Sequence, residues 1–388
     1  TTCYLIIEVL AVPFLFIFSV VCRFRKKNID IGLGPEPLIN NIYTKKALAK
    51  VGYSAETFVF LSYFITSDFD IDASNFRIRL HILRIIYLHL IAVCRYKIIY
   101  IYFNGGPLGM GTRLLKKVEP LLFKISNTKI VVMPYGGDVH DLRQATNLQY
   151  KNALSRDYPL FQKTRIGLIK NNIEKWTKHA DHVISGCDWV EYMYYWDTLT
   201  SSYFSIDTDK VIPDATKKNN NNTVKILHCP NHANIKGSTH FEHAVQELQS
   251  EGYNVELALV QKLPNSEILK LMQTADIVAD QLIIGWYAMT AIEAMCIEKP
   301  VLCFICPKLL ELYESSQILS PGELPLVQCD YKNIKEKIKF LIENPEERLS
   351  IGKKGREFVI KHHSLEAMGS LFRTINSQLG ISPELSHG

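Results

Sequence analysis

The feature that most constrains this chain is an alternation of short strand patterns and helical patterns that runs, stops at a polar stretch, and starts again. Ile29 to Leu33 is a short apolar run, and Gly32, Gly34, Pro35 and Pro37 supply a turn after it. Leu38 to Lys50 carries Leu38, Ile42, Ala47 and Leu48 at helical spacing, and a second strand pattern runs from Glu56 to Phe60. Arg77–Ala92 and Thr112–Lys124 read as helices, and Lys97–Phe103, Lys129–Met133 and Asp181–Ser185 as strands. The pattern fades near Ser201, and the polar stretch from Pro213 to Thr223, with Asn219 to Asn222 in a row, reads as a linker. Beyond it, strands at Val224–His228, Val255–Val260, Ile277–Ala279 and Val301–Ile305 alternate with helices at Phe241–Glu251, Ser266–Thr274 and Met289–Cys296. Parallel strands need such crossovers, so the prediction is an α/β chain of two doubly wound domains, residues 28–212 and 224–388, joined at 213–223.

A chain of 388 residues is long enough for two cores, and 47% hydrophobic against 21% charged residues argues against wholesale disorder. The net charge of +5 is too small to imply a nucleic-acid partner. Nine cysteines without a framework spacing predict a reducing, cytoplasmic setting. The pair Cys303 and Cys306 sits in a buried-strand composition and is not expected to act in redox or metal chemistry. Residues 1–27 are set apart as an apolar segment. Tyr4 to Cys22 is 19 residues long, interrupted by Glu8 and Pro13, and followed by Arg23, Arg25, Lys26 and Lys27. That pattern predicts a membrane anchor with the later chain on the cytoplasmic side. The competing reading is a buried first element, which Glu8 favours. The helix with Arg77, Arg79, His81, Arg84 and His89 reads as half-buried with a solvated basic face, or as a face for anionic lipid.

The stretch from Asp276 to Met295 carries most of the chemistry. A strand runs into a turn at Gly285, and a helix starts near Met289, so free backbone N–H groups point where an anion would sit. Glu293 follows one turn into that helix. Ala291-Ile-Glu-Ala-Met-Cys-Ile-Glu-Lys-Pro-Val301 resembles the donor-site helix of retaining GT-B nucleotide-sugar glycosyltransferases. Ile235-Lys236-Gly237-Ser238 is similar to the family's phosphate-binding Lys-Gly, and Tyr135-Gly136-Gly137-Asp138 to its His-Gly-x-Asp segment. Asn344 to Arg348 and Ile351 to Arg356 resemble its closing helices.

The resemblance implies two Rossmann-like domains facing across a cleft, and transfer of a sugar with retention and without a metal or other cofactor. The partners it implies are a nucleotide-sugar donor and a glycan or lipid-linked acceptor. It places the donor at Gly34, Asn231, Lys236, Gly237, Gly285, Tyr287, Met289 and Glu293, and the catalytic groups at Asp138 and His140. Lys236 would neutralise the diphosphate, Glu293 would hold the ribose hydroxyls, and amides around Gly34 would add fixed dipoles. The chain departs from the family in three places. Gly285 stands where a second Glu is usual, Asn231 or His232 where an Arg is usual, and Tyr135 replaces the His. Asp280 and His140 are the candidate substitutes. These departures motivate a second reading, a non-catalytic nucleotide- or carbohydrate-binding subunit of a polysaccharide assembly complex. A third is a nucleotide-sugar epimerase of the same fold. Gly32-Leu-Gly34-Pro-Glu-Pro37 is a broken dinucleotide fingerprint, and His362-His363 reads as a solvated helix end.

Overall fold

The structure, a computed structural model, describes residues 2–63, 66–214, 216 and 222–383. Most of the polar linker therefore lies outside the described residues. The first sheet is built from β1 (Ile29–Leu33), β2 (Ala55–Val59), β3 (Ile71–Asp72), β4 (Tyr96–Ile101), β5 (Lys129–Val132), β6 (His182–Gly186) and β7 (Thr198–Thr200). Its order is β3-β2-β1-β4-β5-β6-β7. The second contains β8 (Val224–His228), β9 (Val255–Leu259), β10 (Ile277–Gln281), β11 (Val301–Cys303) and β12 (Val327–Gln328), in the order β12-β11-β10-β8-β9. Every pairing between these strands is parallel. Their central strands, such as Tyr96–Ile101, are apolar almost throughout because helices cover both faces.

The helices of the first half are α1 (Thr2–Arg23), α2 (Ile39–Lys50), α3 (His81–Arg95), α4 (Leu115–Ile125), α5 (Leu148–Asp157) and α6 (Pro159–His179). Those of the second half are α7 (Ala233–Lys236), α8 (Ser238–Ser250), α9 (Asn265–Thr274), α10 (Met289–Cys296), α11 (Pro307–Ser315), α12 (Ile334–Glu343), α13 (Pro345–His363) and α14 (Leu365–Gln378). The last of these crosses back. α14 packs on α2 of the first sheet's layer, at a point where Gly369 meets the Ala47 carbonyl. A Cβ on residue 369 would lie 2.5 Å from that oxygen, so only glycine allows the approach. The Tyr100 hydroxyl donates to Asn376 Oδ1 at 2.8 Å and fixes the same contact.

Several sequence expectations change here. The N-terminal segment is not a free appendage: α1 lies on α3 and α4, and Leu15 is buried among Ile82, Ile85 and Leu115. Cys22 and Cys94 form a disulfide between α1 and the end of α3, although no spacing in the sequence signalled it; six further described cysteines are free. His89 is fully buried, 3.5 Å from Glu119, and so is no part of a solvated basic face. His363 is also buried. Its Nδ1 lies 2.8 Å from the Phe204 carbonyl and its Nε2 3.1 Å from the Tyr287 hydroxyl, and burial lowers its pKa to about 4. His362 is the half-buried one, 2.6 Å from Glu323.

Candidate functional site

A cavity of about 530 Å³ lies between the two sheets, at the carboxyl ends of β5 and β6 on one side and β8 and β10 on the other. Open parallel sheets place ligands there because the loops leaving those strand ends face a common crevice. Tyr135 and His140 come from the loop after β5, Tyr150 from α5, Tyr158 from its end, and Asp188 and Trp189 from the turn after β6. Asn231 and His232 follow β8, Lys236 ends α7, Asp280 and Gln281 end β10, and Tyr287 precedes α10.

The first-domain wall is aromatic around one polar cluster. His140 stands edge-on between the rings of Tyr150 and Tyr192, and its Nδ1 lies 3.3 Å from the Tyr150 hydroxyl. Its Nε2 is 3.6 Å from Asp188 Oδ2, beyond hydrogen-bond length. That buried carboxylate oxygen has no hydrogen-bond partner. A buried acceptor at a cavity wall with no hydrogen-bond partner in the protein is suited to a ligand hydroxyl. Just before it, Cys187 holds a left-handed φ of 55°, and its carbonyl accepts from the Tyr313 hydroxyl at 2.6 Å. Asp188, Tyr150 and Tyr158 were not singled out from the sequence. The only available signal for Asp188 was its place just past a strand end.

Asp138 takes a different place from the one expected. It is 1% exposed and does not line the cavity. Its carboxylate accepts from the N–H groups of Phe103, Tyr135 and Gly136 at 2.9–3.0 Å, and burial raises its pKa to about 7. It pins the loop that carries Tyr135 and His140, so its effect on a ligand passes through that loop. Gly34 also differs: its N–H donates to the Tyr100 carbonyl at 3.2 Å, and the residue packs against Phe58. That amide is used within the sheet layer and is not open to an anion.

On the second-domain wall Lys236 is paired. Its ammonium lies 2.5 Å from Asp280 Oδ1, with side chains 13% and 0% exposed. Gln281 holds the following turn, accepting from the N–H groups of Ile283 and Ile284 and donating to the Phe304 carbonyl. Gly285 sits at φ 105°, and a Cβ there would lie 3.2 Å from that of Cys306. The missing carboxylate therefore has a backbone cause, since any side chain would be strained at this φ. Gly237, at φ 78°, turns α7 into α8 behind Lys236. Ala288 lines the cavity and leads into α10 with no side-chain cap, so the first amides of that helix, at Met289 and Thr290, are the wall's fixed positive pole.

Glu293 is set back from this cavity. It is 3% exposed, accepts from Asn265 Nδ2 at 2.7 Å, and has its pKa raised to about 7 by burial. Asn265 lines a second, smaller cavity of about 300 Å³ with Tyr43, Lys46 and Asp68 of the first half. His140, Asn231, Lys236 and Tyr287 thus share the large cavity, while Glu293 stands behind the small one. Two interdomain bonds flank the crevice: the Tyr158 hydroxyl with His232 Nδ1 at 2.6 Å, and Asn147 Nδ2 to the Ile283 carbonyl at 2.7 Å. Among the described residues no three His, Cys, Asp or Glu side chains cluster as a metal site.

Residues 215–358 match the family model described as Glycosyl transferases group 1. No curated protein matches the chain. Among solved structures, the sucrose-phosphate synthase of Thermosynechococcus elongatus is similar over 91% of this chain and 99% of its own, at 14% identity and TM-score 0.56. A mutant O-GlcNAc transferase of Thermobaculum terrenum is similar over 91% of this chain and 67% of its own, at 11% identity and TM-score 0.51. Identities this low speak for the fold, and the family match covers the segment that carries Lys236, Gly285 and Glu293. The second domain is thus similar to the glycosyl transferases group 1, and the chain has a two-domain GT-B fold.

Proposed function

We propose that the chain transfers a sugar from a nucleotide-sugar donor, with retention and without a metal, to a glycan or lipid-linked acceptor. The observation that carries this reading is the second-domain wall, where the uncapped start of α10 and the Lys236 ammonium face one cavity. Departure of a nucleoside diphosphate builds negative charge, and fixed dipoles with a cation in a partly dry crevice stabilise it. Asp280 already compensates Lys236, so the diphosphate would enter as a competitor for that ammonium rather than meet a bare charge. On the opposite wall, the free oxygen of Asp188 would accept from an acceptor hydroxyl, with His140 holding its geometry. The aromatic rings of Tyr150, Tyr158 and Trp189 offer flat apolar faces that suit a sugar ring. Six of the described cysteines are free, which fits a reducing, cytoplasmic setting, whereas the Cys22–Cys94 disulfide favours an oxidising one; α1 would hold the protein at a membrane.

A panel of nucleotide sugars tests this by thermal stabilisation, since a ligand of the native state raises its melting temperature. One donor should stand out and release free sugar slowly, and NMR of the product should show an unchanged anomeric configuration. The competing reading, a binding subunit without turnover, draws support from the Lys236–Asp280 pairing and from Gly285. Stabilisation without any release of sugar would decide for it.

A further inference from the structure

The outer face of α1 is the largest feature that the cleft does not explain. One stripe of the helix turns inward: Glu8, Leu15, Ser19 and Cys22 are buried. The opposite stripe carries no polar side chain. Ile6, Leu10, Phe14 and Ile17 are 55%, 69%, 51% and 67% exposed. A helix that is apolar on both faces is at home only in a core or against lipid. Arg23, Arg25 and Lys26 follow at its end, around Phe24 at 82% exposure. At about 33 Å the helix is long enough to cross a bilayer, and its composition passes the same test.

Two contacts hold it in another orientation. The Glu8 carboxylate accepts from the N–H groups of Arg113, Leu114 and Leu115, capping the start of α4 inside the fold. At the other end the Cys22–Cys94 bond ties α1 to α3. A helix that threaded the bilayer would abandon three buried amides and carry a carboxylate into hydrocarbon, both costly. Resting on the first domain, which contributes the acceptor wall of the cleft, the helix has its whole outer stripe free for a flat apolar surface.

We infer that α1 is an in-plane membrane helix: it stays docked on α3 and α4 and lays Ile6, Leu10, Phe14 and Ile17 into the interface of an anionic bilayer, with Arg23, Arg25 and Lys26 at the headgroups. The occupant is a lipid surface because the outer stripe is uniformly apolar and the exposed charges at its end are all basic, the combination that interfacial helices use. This rests on the membrane association proposed above and specifies its geometry.

The test uses the full chain with its disulfide intact and vesicles of phosphatidylcholine with and without phosphatidylglycerol. Binding should be stronger with the anionic lipid, and the double variant L10D/I17D, checked for an unchanged fold by circular dichroism, should bind at least about tenfold more weakly. Tryptophan placed singly by I6W, F14W and V21W then reports depth through lipids brominated near the headgroup or deep in the acyl chain, read as the difference from the wild type, whose four own tryptophans give the background. The inference expects shallow quenching at all three positions. Deep quenching at position 14 with shallow quenching at 6 and 21 means a crossing helix; it overturns the in-plane geometry while leaving membrane association standing. No vesicle binding by the wild type overturns both. A wild type that is dimeric by light scattering, fails to bind vesicles and becomes monomeric as L10D/I17D assigns the stripe to a second copy instead.

Discussion

The two walls of the cleft solve their electrostatics in opposite ways. On the second-domain side the charged groups are settled within the protein: Lys236 on the wall is held by Asp280, and Glu293, set back from the cleft, is buried against Asn265. On the first-domain wall the cluster of His140, Tyr150 and Asp188 leaves a buried carboxylate oxygen unmet. The wall that resembles known glycosyltransferases most clearly in sequence is thus the more self-contained one. The wall with the weaker resemblance holds the carboxylate oxygen that accepts no hydrogen bond from the protein. Motif likeness and readiness to bind are separate properties, because a motif records residue types while readiness depends on what each side chain already touches.

The largest effect that sharpens this contrast is breaking the Lys236–Asp280 pair. Lys236→Met leaves a fully buried carboxylate without its ammonium and should cost about 3–5 kcal/mol, read as a lower urea midpoint. The double variant K236M/D280L removes both charges and should recover most of that loss. A single variant as stable as wild type would mean the pair is open to water.

Next in size is Glu293. Its pKa is 4.5 in the ordinary state and about 7 in the fold because burial disfavours the anion. The folded form therefore keeps its proton longer than the unfolded chain. Its contribution is intact below pH 4.5 and is lost as the pH rises to about 7, by about 3 kcal/mol in all. Glu293→Gln keeps an acceptor for Asn265 without the charge. Its stability relative to wild type should rise between pH 4.5 and 7 and then level off, measured by urea titration at a series of pH values. Asp138 has its pKa raised in the same direction, so the comparison is made as the difference between variant and wild type.

A smaller effect is expected on the other wall. Asp188→Asn keeps the size and one acceptor but loses the charge, so the melting temperature should barely move while transfer to acceptor falls at least about tenfold. Donor binding should be unchanged, which separates this wall from the second. The smallest change is Tyr158→Phe, which removes the hydrogen bond to His232 across the crevice and should cost about 1 kcal/mol.

Most strands were legible to within one or two residues, because a buried parallel strand is a short β-branched run that little else imitates, as in Ile29–Leu33 and Val224–His228. The strands missed were β3, β7 and β12, each two or three residues long. Helices α5 and α6 were missed because their sequences are rich in Lys, Arg, Asn and Gln and carry little apolar rhythm. In the site, Lys236 was legible as a residue but its partner was not, since Asp280 lies 44 positions away and meets it only through the pairing of β8 with β10. Glu8 gave a fair signal, an acid inside an apolar helix, but its partners at the start of α4 are more than a hundred residues distant. Contacts of that kind belong to tertiary structure, and local pattern carries no trace of them.

The central claim is that the second-domain wall receives the diphosphate of a nucleotide sugar. Calorimetric titration of nucleoside diphosphates into wild type and K236M/D280L tests it most directly, since the double variant should keep the fold while losing the ammonium. The account predicts saturable binding of one nucleotide to the wild type, at one site per chain, weakened at least about tenfold in the double variant. Equal affinity in the two proteins, or no nucleotide bound by the wild type, would contradict it.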